Sequence, residues 1–173
     1  YTYDANGART QFTSGAGHPI PSAVAALDEQ DRLTSYGAAS FTYTPDGFLA
    51  TRVDGSGAST YTYDELGNLR QATLPGGTTV SYLVDGRNRR VAKQVDAVTT
   101  RRWLYQDDLR PAGELDPSTG DLTTRFVYAG SSNVPAYIDR SGDIYRLVVD
   151  QVGSVKLVIR VADGVVAQRL DYD

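Results

Sequence analysis

The sequence predicts an all-β protein of repeated β-hairpins joined into an extended antiparallel sheet. Three observations lead there. The segment Tyr1-Thr2-Tyr3-Asp4-Ala5-Asn6-Gly7 returns as Phe41-Thr42-Tyr43-Thr44-Pro45-Asp46-Gly47 and as Tyr61-Thr62-Tyr63-Asp64-Glu65-Leu66-Gly67. Such self-similarity marks a repeat architecture in which each copy is one supersecondary unit. Turn-forming residues also punctuate the chain about every 8–12 residues, which is the spacing of short strands. Finally, the apolar residues between those turns alternate with polar ones, the period of a half-buried strand.

Each part of the unit has a physical reading. In aromatic-Thr-Tyr the first and third side chains share one face and Thr takes the other, and both residue types favour strands. Asp at the first position of Asp-x-x-Gly suits a type I turn, because its carboxylate accepts bonds from the amides ahead. Gly at the fourth position tolerates the φ > 0 that a hairpin bulge requires. An apolar residue two places later, Leu49, Leu69, Ile144 or Val155, restarts a strand.

Taken along the chain, Tyr3, Asp4 and Gly7 mark the first unit, and Leu27 to Leu33 reads as a degenerate copy. Tyr43 and Gly47 mark the next, with Thr44 in place of Asp, followed by Tyr63, Asp64 and Gly67. A weaker copy, Val80 to Gly86, places Tyr82 and Gly86, so the period is about twenty residues. Asp-x-x-Gly recurs alone at Asp54/Gly57, Asp139/Gly142 and Asp150/Gly153. Further turns are expected at Leu74-Pro75-Gly76-Gly77, near Asp96-Ala97, and at Asp116-Pro117-Ser118-Thr119-Gly120. Residues 14–27, with His18-Pro19-Ile20-Pro21 and an Ala-rich run, break the pattern and read as an irregular loop or insert. The whole of 1–173 otherwise reads as one repeat segment. Because it opens without Met and stops inside a repeat, it is expected to be a piece of a longer polypeptide whose uncovered edge strands self-associate.

Composition narrows the function. The chain has no Cys and one His, which removes disulfides, thiolate metal sites and Cys nucleophiles. His18 is the sole imidazole base available to a Ser-His-Asp arrangement, and a loop residue is the expected reading. The eighteen Asp and three Glu sit mostly where turns already employ them. Neither a calcium loop nor a Gly-rich phosphate cradle occurs, so no cofactor or metal is expected. A formal charge of −4 opposes binding to nucleic acid. No apolar run is long enough to span a bilayer. Arg87, Arg89, Arg90, Arg101 and Arg102 form a local basic cluster, read as a solvated strand face. The recurring tyrosines are expected to stack as a ladder between neighbouring strands. A sugar-stacking platform is the rival reading.

The copies at Tyr1–Gly7 and Tyr61–Arg70 closely resemble the YD repeat of the Rhs/YD-repeat family. The stretch Tyr145–Val155 resembles the last repeats before that family's core closes, and Leu170–Asp173 the start of its continuation. The resemblance implies a sheet that curves and spirals into a hollow shell, as in bacterial Rhs and polymorphic toxins, toxin-complex C components and teneurins. It implies an exported or cell-surface protein that acts as a non-catalytic scaffold, with neighbouring repeats and an enclosed C-terminal toxin domain as partners. The family's autoproteolytic aspartate region lies downstream of these repeats, so no catalytic residue carries over. A surface module that binds a glycan or receptor is the alternative.

Overall fold

The computed structural model describes residues 1–13, 23–130 and 132–172. Among them the chain forms seventeen strands and no helix. Each strand pairs antiparallel with the next in the chain, as the hairpin repeat requires. The chain divides into two units, Tyr1–Ser81 and Tyr82–Asp173.

The first unit contains β1 (Thr2–Tyr3), β2 (Arg9–Phe12), β3 (Ala23–Leu27), β4 (Leu33–Tyr36), β5 (Ala39–Tyr43), β6 (Leu49–Asp54), β7 (Gly57–Tyr63) and β8 (Leu69–Thr73). Strand β9 (Thr79–Val84) straddles the division. Alternation sorts the side chains as the sequence predicts. Thr42, Thr51, Thr60, Thr73 and Thr79 lie directly opposite one another on five successive strands, a continuous threonine row. Its first two hydroxyls are 2.6 Å apart. The other face carries Tyr61 opposite Ala72, with Ser59 and Ala72 buried.

The second unit contains β10 (Arg90–Val95), β11 (Val98–Tyr105), β12 (Pro111–Leu115), β13 (Leu122–Val127), β14 (Tyr137–Arg140), β15 (Asp143–Val149), β16 (Val155–Arg160) and β17 (Val166–Arg169). The β10–β11 hairpin turns at Asp96-Ala97, both with φ > 0 (49° and 66°), so neither strand needs a glycine there. Ala92 and Thr124 are buried. Gly113 is fixed by close approach, since a Cβ there would meet the Thr124 carbonyl oxygen.

Burial is thin throughout. Phe12, Ala72 and Ala92 are the buried apolar residues among those described, and no large side chain is fully enclosed. Little hydrophobic stabilisation is therefore available within either unit, since that term scales with apolar area removed from water. Backbone ladders and the turns that close them carry correspondingly more.

One expectation differs. The irregular insert expected over 14–27 includes Ala23–Leu27, which is strand β3, paired with β2 on one side and β4 on the other. Alanine is a weak strand former, but two flanking ladders outweigh propensity. The remainder of that insert, with His18, lies outside the described residues.

Candidate functional site

The candidate site is the row of turns along one edge of each unit. At Asp4, Asp28, Thr44, Asp64, Asp85 and Asp150 the first residue's amide donates to the carbonyl four places on, and the amide of the fourth residue donates back to the first residue's carbonyl. This is a type I turn closed by a bulge. At the five aspartates, one carboxylate oxygen also accepts two backbone amides at 2.9–3.0 Å, as in Asn6 and Ala8 to Asp4 or Leu66 and Asn68 to Asp64. At Thr44 the hydroxyl takes the Phe48 amide instead. These bonds hold the Asp64 carboxyl below its usual range, the Asn68 amide contributing most.

A second device joins several of the turns to the next. A tyrosine at the end of an outgoing strand, or up to three residues past it, donates its hydroxyl to the carbonyl of the residue that opens the incoming strand of the same hairpin. The pairs are Tyr43 to Leu33 (2.8 Å), Tyr63 to Leu49 (3.0 Å), Tyr105 to Arg90 (3.0 Å), Tyr128 to Pro111 (2.9 Å) and Tyr172 to Val155 (2.8 Å). At the first four of these the side chain closing the preceding turn covers the ring, and at Tyr172 Lys156 does so at 4.8 Å. Arg32 lies over Tyr43 at 4.9 Å, Arg89 over Tyr105 at 5.1 Å and Arg110 over Tyr128 at 5.7 Å. Phe48 stacks on Tyr63 at 4.9 Å. The same arginines bind their own turns: Arg32 to Asp28, Arg89 to Asp85 by two nitrogens, and Arg110 to Asp107. Carboxylate, guanidinium and phenol thus form a clip from one turn to the next. The bidentate Arg89 bond draws the Asp85 carboxyl down to about 2, and Arg110 does the same to Asp107.

The structure places the predicted repeat residues as follows. Gly7, Gly47, Gly67 and Gly153 occupy the bulge corner with φ between 82° and 88°. Tyr43 and Tyr63 are clip tyrosines, whereas Tyr3 is exposed. In the copy around Asp85, Val84 holds the tyrosine position and Tyr82 lies two residues earlier, under the Arg90 guanidinium at 3.9 Å. Asn88, at φ 60°, takes the corner there, and Gly86 is the second residue of the turn. Asp139 accepts the Gly142 amide in a tighter hairpin, with Ser141 and Gly142 both at φ > 0. Asp150 heads a full turn.

The expected tyrosine ladder between neighbouring strands is not what forms. With one such tyrosine per hairpin, Tyr43 and Tyr63 sit on alternate strands and face Leu49 and Leu69 across the ladder. Of the basic residues read as a solvated strand face, Arg87, Arg90, Arg101 and Arg102 are exposed and Arg89 is half-buried. Arg87 pairs with Asp108, Arg89 with Asp85 and Arg101 with Glu114, and Arg90 covers Tyr82.

Sequence reasoning missed the clip's covering residues. Their signal is the spacing Asp28/Arg32 and Asp85/Arg89, together with a correlation inside the chain. Where the residue before the next turn is Leu27 or Val84 rather than Tyr, the preceding turn closes with Ala8 or Asn68. Among the described residues no group of His, Asp or Glu could hold a metal ion, and no helix is long and apolar enough to cross a membrane.

A family model described as the teneurin YD-shell matches residues 1–173. Human teneurin-1 is 28% identical over 157 residues, covering 89% of this chain and 6% of that protein. Mouse teneurin-4 is 25% identical, covering 99% and 6%. The tRNA3(Ser)-specific nuclease WapA of Bacillus spizizenii is 25% identical over 175 residues, covering 100% and 7%. The chain therefore spans only a small fraction of these relatives. The crystal structure of TcdB2-TccC3-TEV aligns with 98% of this chain and 12% of its own, with TM-score 0.43 and 12% identity.

Proposed function

The chain belongs to the teneurin YD-shell family, and from that premise we propose that it is a non-catalytic wall segment of a YD-repeat shell. In this reading residues 1–173 form one structural segment of an exported or surface-displayed bacterial polypeptide, and the wall encloses a C-terminal toxin domain. The single observation that carries it is the use made of the chain's reactive-looking side chains. The aspartates, arginines and tyrosines of the turn row are spent on backbone amides, carbonyls and one another, which builds register. WapA, a nuclease by name, is a relative along this whole chain, which fits a wall that accompanies a separate toxic activity. Fifteen Arg against two Lys suits a GC-rich bacterial source.

The same observation weighs against the tyrosine row as a glycan platform, because Tyr43, Tyr63, Tyr105 and Tyr128 have both hydroxyl and ring engaged internally. Limited proteolysis of the parent polypeptide tests the proposal. The segment that follows the repeats should resist cleavage in the native protein and become cleavable when Tyr63→Ala and Tyr105→Ala open the clips. Equal cleavage in both would overturn encapsulation.

A further inference from the structure

The turns Thr44–Phe48 and Asp64–Asn68 are neighbours on one edge of the first unit, and a cleft of about 680 Å3 lies between them. Phe48, Tyr61 and Leu66 supply its apolar walls, and Asp46, Asp64 and Glu65 bring carboxylates to it. Among the described residues no lysine or arginine lines it. The volume is that of a ligand pocket, about 300–1,000 Å3.

This clip departs from its counterparts in one respect. Around Tyr43, Tyr105 and Tyr128 an arginine from the chain lies over the phenol while bonded to a turn carboxylate. Here Phe48 replaces that arginine and Thr44 replaces the aspartate that would hold it. Asn68 and Arg70 already occupy Asp64. Asp46 and Glu65 are exposed at the rim, and Phe48 remains 37% exposed despite stacking on Tyr63. The cleft thus presents the outer side of Phe48 and two exposed carboxylates, Asp46 and Glu65, with no turn arginine over it.

We propose that this cleft docks an arginine side chain presented by a segment of a partner protein. A planar guanidinium stacks on aromatic faces and bonds carboxylates bidentately, whereas a lysine ammonium is a strongly hydrated point charge, so arginine is preferred. The chain's own arginines make the same two kinds of contact elsewhere, an aromatic ring beneath and a carboxylate beside the guanidinium, although there the ring is a tyrosine. The site does not depend on what the wall encloses.

The test is a 15N NMR titration of the full 173-residue chain with the capped tripeptide acetyl-Gly-Arg-Gly-amide, its lysine counterpart and its neutral citrulline counterpart. The arginine peptide should shift the amides of Asp46, Gly47, Glu65, Leu66 and Gly67. The lysine peptide should bind at least threefold more weakly, and citrulline should leave the spectrum unchanged. Two variants complete the test. Asp46→Asn with Glu65→Gln, on exposed side chains, should weaken binding at least tenfold. Phe48→Arg, which supplies the guanidinium from within, should abolish it while amides of β10–β13 keep their positions. Undiminished binding to the Asp46→Asn/Glu65→Gln chain, shifts spread over all acidic turns, or peptide-free shifts of the same amides that grow with protein concentration would each overturn the assignment. The last would mean that a second copy's arginine fills the cleft.

Discussion

Gly67 and Gly47 hold the same corner at φ 82° and 87°, yet their surroundings differ. A Cβ on Gly67 would lie 2.6 Å from the Phe48 ring, while one on Gly47 would meet nothing within 4 Å. Gly47→Ala should therefore cost only the left-handed backbone term, about 1 kcal/mol, whereas Gly67→Ala should cost more than about 2 kcal/mol because the ring must also move. Urea denaturation of both variants checks the difference, and equal midpoints would show that Phe48 yields freely. Tyr63→Phe keeps the ring under Phe48 and removes only the hydroxyl that bonds Leu49. It should cost about 0.5–1.5 kcal/mol, the net worth of one hydrogen bond. Burial pushes the Tyr63 phenol up, so the hydroxyl remains a donor through neutral and mildly alkaline pH.

A turn is more than its residues, because Asp85 holds two amides and the Arg89 guanidinium at once. Its folded pKa, about 2, lies below the ordinary 3.8, mainly through Arg89, and Asp107 is lowered likewise through Arg110. A depressed folded value means the unfolded chain takes up the proton first. The stabilisation is then complete above about pH 4 and is lost as pH falls towards about 2. Denaturation midpoints measured across that window should decline for the native chain, and Asp85→Asn should flatten part of the decline. An unchanged slope in Asp85→Asn would mean that other carboxylates carry the acid response. The turn element was legible in the sequence, since Asp and Gly at fixed offsets have no other common use. Asn88 at the corner of the Asp85 turn was not. Gly86 stood in view two residues earlier, and only backbone bonding reveals which residue closes the loop.

In each unit the buried apolar area is small and several turns are tied to a neighbour by a clip, so stability should behave as a sum of local terms with nearest-neighbour couplings. Hydrogen exchange can read this. Tyr105→Phe should reduce amide protection in β10, β11 and β12 by about fivefold to tenfold and leave β5–β8 unchanged. A uniform loss would instead show one cooperative fold. The family match extends along the full 1–173 and assigns the architecture.

Strand identity, hairpin connectivity and the Asp-x-x-Gly corners were legible in the sequence, because they depend on neighbours within about five positions in the chain. The strand character of Ala23–Leu27, the tyrosine hydroxyls on carbonyls across the hairpin, the guanidiniums over those rings and the cleft beside Phe48 were not. The first depends on the strands on either side of it, and the others arise where residues ten or more positions apart meet along the turn edge. Which residue lies beside which is set there by strand register, and register is a property of the paired chain rather than of any local run of residues.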